Sequence, residues 1–204
     1  MKSRTLAASL VASASAVLIS PALAHHATDN AAPVNAFQGF VSGVAHPVIG
    51  LDHLLFVLAV GAACHFFGRR TETIATFMIA TLAGTVIHLY EATLPYPDAW
   101  VALSLILLGV LITAGGRFLG SRSALALFGI AGIVHGYAYG EAIVGAEATP
   151  LFGYLAGFTV IQLCIAWTGF ALTRYAERAK LRTAQAVSGV VSLAGVAFLV
   201  ASLA

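Results

Sequence analysis

In the run "HPVIGLDHLLFVLAVG", His46 is followed after five residues by the pair Asp52-His53, and the rest is almost entirely apolar. Imidazole nitrogen and carboxylate oxygen are the ligand types that suit divalent transition metals such as nickel, cobalt and zinc. The two cysteines, Cys64 and Cys164, lie far apart in apolar stretches, which favours packing over a thiolate cluster or a disulfide framework. Other ligand-type groups follow the same pattern. His88 and Glu91 close one apolar stretch, and "VHGYAYGEA" carries His135 and Glu141 at the end of another. Ionisable side chains are expensive in hydrocarbon and mark ion pathways or sites there. A lone imidazole such as His65 or His88 can instead serve as a hydrogen-bond partner across a helix interface.

The elements that hold these residues follow from composition. The chain has 204 residues, of which 60% are hydrophobic and 9% charged, and its mean hydropathy is +0.94. A soluble domain carries roughly a quarter charged residues, so this is an integral membrane protein in contact with the lipid bilayer. No GxxxxGK[ST] loop is present, so ATP is not the expected energy source, and no nucleic-acid partner is expected. The only lysines, Lys2 and Lys180, lie outside the apolar spans, which excludes a retinal Schiff base.

Residues 1–24 read as a cleaved signal peptide: Lys2 and Arg4, then an apolar stretch, then "PALA" ending in Ala22-x-Ala24. Residues 25–45 are expected to form an outer segment with a short interfacial helix over Phe37 to Val44. Residues 46–204 then hold six apolar stretches long enough to cross about 30 Å of hydrocarbon: His46–Phe67, Glu72–Ala92, Asp98–Phe118, Ser123–Gly145, Pro150–Thr173 and Thr183–Leu203. The expected fold is all-α, a six-helix transmembrane bundle. Arg69, Arg70, Arg117, Arg122, Arg174, Arg178, Lys180 and Arg182 fall in or beside the first, third and fifth loops, and the other two loops carry no basic residue. The positive-inside rule makes those three loops cytoplasmic and both mature termini periplasmic in a bacterial inner membrane.

This topology gathers the ionisable residues of three helices in the outer half of the bilayer. On an unbroken first span, His46 and His53 are seven residues apart and share a face. His135 lies near the midplane, with Gly132, Gly136 and Gly140 as a small-residue ladder that lets other helices approach it.

The His46-x5-Asp52-His53 motif, its setting "GFVSGVAHPVIGLDHLLFVLAVG" and the later "HGYAYGE" resemble the HupE/UreJ family of hydrogenase and urease accessory membrane proteins, regarded as nickel permeases. The likeness covers the whole mature chain. It implies a metal-handling role for His46, Asp52, His53 and His135. The family's second motif has Phe before His-Gly and then Gly-x-Glu. Here Val134 precedes His135 and Glu141 follows Gly140 directly, with Glu147 the next glutamate.

The expected function is secondary uptake of a divalent metal, nickel first and cobalt second, with no permanently bound cofactor and no catalysis. His88, Glu91 and Glu141 would be secondary ligands, and His25 and His26 at the new N-terminus would collect metal unless they are simply a solvated tail. Nickel-enzyme maturation proteins are the partners this implies. Two other classes stay open: a membrane-embedded metallohydrolase that activates water at the same cluster, and a haem-binding or scaffolding protein using His53 and His135.

Overall fold

Asn35 starts the first helix. Its side chain accepts from the Gln38 amide N–H at 2.9 Å, and Gln38 Oε1 accepts from the Val34 N–H at 3.0 Å, a reciprocal N-terminal cap. The structure, a computed structural model, describes residues 32–68, 70–114, 122–179 and 181–203. The expected signal peptide, His25 and His26 lie outside these residues. Among the described residues the regular structure is all helical: α1 (Ala36–Ile49), α2 (Leu51–Phe67), α3 (Arg70–Leu89), α4 (Pro97–Ala114), α5 (Arg122–Gly140), α6 (Ala148–Arg178) and α7 (Thr183–Ser202), with a 3₁₀ turn at Glu141–Ile143.

Helices α3 to α7 each contain a segment long and apolar enough to cross a membrane, and α1 and α2 pass the same test when taken as one broken span. Ile79, Val110, Leu172, Leu193 and Val200 are exposed on their outer faces. So much exposed apolar surface suits lipid and not water. This is a multi-pass membrane protein.

The first span departs from the sequence reading. Residues 46–67 do not form one helix, and the expected interfacial helix at Phe37 to Val44 is part of a longer one that contains His46. α1 ends at Ile49, and α2 leaves at 81° to it. Two residues account for the break. Pro47 has no N–H to bond back to Gly43, and Gly50 adopts an extended conformation (φ −71, ψ 97) in place of a helical one. The Gly50 N–H closes α1 on the His46 carbonyl at 3.0 Å, and the Gly50 carbonyl opens α2 by accepting from Leu54 at 2.8 Å.

Glycines then bring backbones together. Gly39 and Gly43 of α1 lie on the Pro150 and Tyr154 carbonyls of α6, while Gly153 and Gly157 of α6 lie on the Ala36 and Phe40 carbonyls of α1; a Cβ at any of the four would overlap the facing chain. This is a double small-xxx-small contact. Gly61 and Gly169 repeat it between α2 and α6, so the 31-residue α6 backs both halves of the broken span. Gly136 of α5 lies on Thr81 of α3, and Thr85 Oγ1 donates to the Gly136 carbonyl at 2.9 Å. α4 pairs with α7 through Ser188 Oγ, which donates to the Gly109 carbonyl at 2.7 Å. Near the ends of α2 and α6, His65 Nε2 lies 2.7 Å from Glu177 Oε2.

Candidate metal site

Three imidazoles from three helices form a row. His46 comes from the last turn of α1, His53 from the first turn of α2 and His135 from the penultimate turn of α5. The His46 and His53 rings stack with centroids 5.7 Å apart, and His53 Nδ1 lies 3.1 Å from His135 Nδ1. All three side chains are buried. An unbroken helix would have carried His46 and His53 two turns apart along one face; the bend at Gly50 folds them together instead.

Asp52 stands beside the row and remains partly accessible. Its Oδ1 accepts from the His53 backbone N–H at 2.8 Å and lies 4.0 Å from His53 Nδ1. Tyr139 walls one side, with its ring 4.3 Å from His53 and 5.2 Å from His46. Tyr154 fixes it from α6 by donating from its hydroxyl to the Tyr139 carbonyl at 2.8 Å. Phe56 covers the His135 ring at 4.1 Å.

Ser104 of α4 determines where the protons sit. Its one hydroxyl proton goes to the Val101 carbonyl at 2.6 Å, so its oxygen accepts from His135 Nε2–H at 2.9 Å. Neutral His135 then carries its lone pair on Nδ1 and accepts from His53 Nδ1–H. That leaves the lone pair of neutral His53 on Nε2, the atom through which it can bind a metal.

The description "HupE / UreJ protein" belongs to the family model that matches residues 13–198. The chain belongs to the HupE / UreJ family. It is also similar to Protein HupE of Rhizobium leguminosarum bv. viciae, with 31% identity over 168 residues, covering 80% of this chain and 85% of that one. No solved structure matches it.

Other expected ligands of this HupE/UreJ chain lie apart from the row. His88 packs against Tyr137 with ring centroids 4.5 Å apart. Tyr137 is two residues beyond His135 and therefore on nearly the opposite face of α5. Glu91 sits in the turn after α3 with φ 58, and Glu141 lies in the 3₁₀ turn; both are exposed. Glu147 caps α6 by position and is exposed too. Among the described residues no three His, Cys, Asp or Glu side chains converge tightly enough to hold an ion at once. The candidate site is thus a file of donors, not a closed cage.

Two of the residues that shape it, Ser104 and Tyr139, carried no signal in the sequence.

Proposed function

We propose that this HupE/UreJ protein is a secondary uptake permease for a divalent transition metal, nickel first and cobalt second, in a bacterial inner membrane with periplasmic termini. The observation that carries the reading is the row His46–His53–His135 at a helix break within a membrane bundle, with Asp52 at its side. A neutral imidazole is a ligand for nickel or cobalt, and the carboxylate offsets part of the ion's charge. An open file of donors suits transient binding, whereas a hydrolase would hold its metal in a fixed three-ligand site. Axial haem ligation would need His53 and His135 to face each other across a porphyrin, and their Nδ1 atoms are 3.1 Å apart.

The driving force needs no nucleotide. A membrane potential, negative inside, favours entry by about 2.3 kcal/mol per charge per 100 mV, or roughly double that for a divalent ion. Broken helices with a binding site at the break are a recurrent arrangement in secondary transporters.

The test is uptake of Ni²⁺, Co²⁺ and Zn²⁺ into proteoliposomes under an imposed potential, with His53→Ala as control. Saturable Ni²⁺ entry that the control abolishes is the expected result. Entry no faster than in protein-free vesicles, or unaffected by His53→Ala, would defeat the proposal.

A further inference from the structure

Gln162 lies in the middle of α6 and is 0% exposed, and neither its Nε2 nor its Oε1 has a hydrogen-bond partner among the described residues. A buried amide left unpaired is strongly destabilising, and a membrane offers little water to relieve it. A leucine would fill the same place without that cost. The amide therefore answers to something other than packing.

Register gives its depth. The rings of Tyr139 on α5 and Phe158 on α6 meet with centroids 4.3 Å apart. The two helices are joined by the short segment 141–147 and run in opposite directions. His135 is one turn back along α5 from Tyr139, and Gln162 one turn forward along α6 from Phe158. Both are therefore displaced the same way, by about 6 Å, and lie level with each other.

The buried stripe of α6 gives its direction. Tyr154, Phe158, Gln162 and Ala166 succeed one another at four-residue spacing and share a face. On one side of Gln162, Tyr154 and Phe158 meet Gly43 of α1; on the other, Ala166 and Phe170 meet Gly61 of α2. Gln162 falls between these contacts, facing the stretch where the chain passes from α1 into α2 and carries Asp52 and His53.

We infer that Gln162 is a further ligand of the translocated divalent cation, its Oε1 binding the ion opposite His53 at the α1–α2 break. The inference rests on the permease reading. A carboxamide oxygen replaces one hydration water of the ion and adds no charge. It thus contributes to binding while leaving the ion free to move on, which a second carboxylate beside Asp52 would hinder.

Initial Ni²⁺ uptake into proteoliposomes is measured against concentration for the wild type, His53→Ala, Gln162→Leu and Gln162→Met, with thermal melting of each purified protein. Both Gln162 variants remove the oxygen, and the methionine keeps the length and flexibility of the side chain. The expected result is a KM raised at least tenfold in both, with melting temperatures equal to or above that of the wild type. A KM within twofold of the wild type in either variant overturns the inference. So does a lower melting temperature in both variants, or failure of both to fold, because the amide would then be serving the structure. If the wild type itself imports no Ni²⁺, or His53→Ala imports it normally, the permease reading fails first and the role of Gln162 falls with it.

Discussion

Ser104 on α4 and His135 on α5 are joined by a 2.9 Å hydrogen bond whose direction is set by the serine's own bond to Val101. One hydroxyl therefore decides which nitrogen His53 presents, two hydrogen bonds away. Ser104→Ala leaves His135 Nε2–H without its acceptor, and a lost buried partner of this kind costs about 1–3 kcal/mol. We expect a lower melting temperature and a KM for Ni²⁺ raised severalfold. Ser104→Thr keeps the hydroxyl, and a small cavity bordered by Ser104, Phe56 and Leu108 has room for the added methyl. It should restore most of the uptake; equal loss in both variants would show that the hydroxyl is not what matters.

Asp52→Asn keeps the size of the side chain and its carbonyl oxygen, so the 2.8 Å bond from the His53 N–H can survive. The charge that offsets the divalent ion is gone. Uptake should fall by at least tenfold while the melting temperature stays close to that of the wild type. Near-normal uptake would reduce Asp52 to a helix-capping residue.

Thr149 and Thr71 are both exposed, in the first turns of α6 and α3, beside loops that the basic residues assign to opposite sides. In a background lacking Cys64 and Cys164, a cysteine at Thr149 should react with an impermeant thiol reagent added outside intact cells. One at Thr71 should react only after permeabilisation. The reverse pattern would invert the route proposed for the ion.

Protons compete with the metal for imidazole nitrogen, whose unperturbed pKa is about 6.5. The histidines must be neutral to bind, so acid on the outer side weakens binding. At subsaturating Ni²⁺ and clamped potential, initial uptake should decline as external pH falls below about 6, through a rise in KM with little change in maximal rate. Stimulation by external acid would instead identify proton-coupled transport.

Gly136 carries His135's neighbouring backbone directly onto Thr81 of α3, with Thr85 bonded to its carbonyl at 2.9 Å. A methyl there meets backbone atoms that cannot move aside. Gly136→Ala should destabilise the protein by about 1–3 kcal/mol, measurable as a lower melting temperature, and should reduce uptake by displacing His135. An unchanged melting temperature would mean that α3 and α5 separate without cost.

The spans were legible because apolar length alone identifies them, and the His-x5-Asp-His motif lies on the two helices that meet at the break. The break was not. Pro47 reads equally well as a residue of a helix's first turn, and Gly50 is tolerated inside apolar helices. Since the flanking residues are apolar on every side, no change of periodicity marks the bend. The histidine row was therefore anticipated for a reason the structure replaces: His46 and His53 meet through a fold in the chain. Ser104 resembles any small residue at a helix interface, and its effect on tautomers exists only once three helices are assembled. Depth groups Glu91 and Glu141 with the row, but depth does not specify the exposed turns in which the two carboxylates end.

The 81° bend at Gly50 also changes the electrostatics of the bilayer interior. An α-helix carries roughly half a negative charge at its C-terminal end and half a positive charge at its N-terminal end. In a straight helix these would cancel at residue 50. Here the end of α1 and the start of α2 part company in a low-dielectric medium, where partial charges are poorly screened. The Asp52 carboxylate sits in the first turn of α2 and caps its positive end. The carbonyl end of α1 receives no matching cation from its own last turn beyond His46, which is charged only when protonated. With the Asp52 carboxylate offsetting the positive end of α2, the carbonyl end of α1 leaves the junction with an excess of negative potential, a field that would favour a cation at the kink.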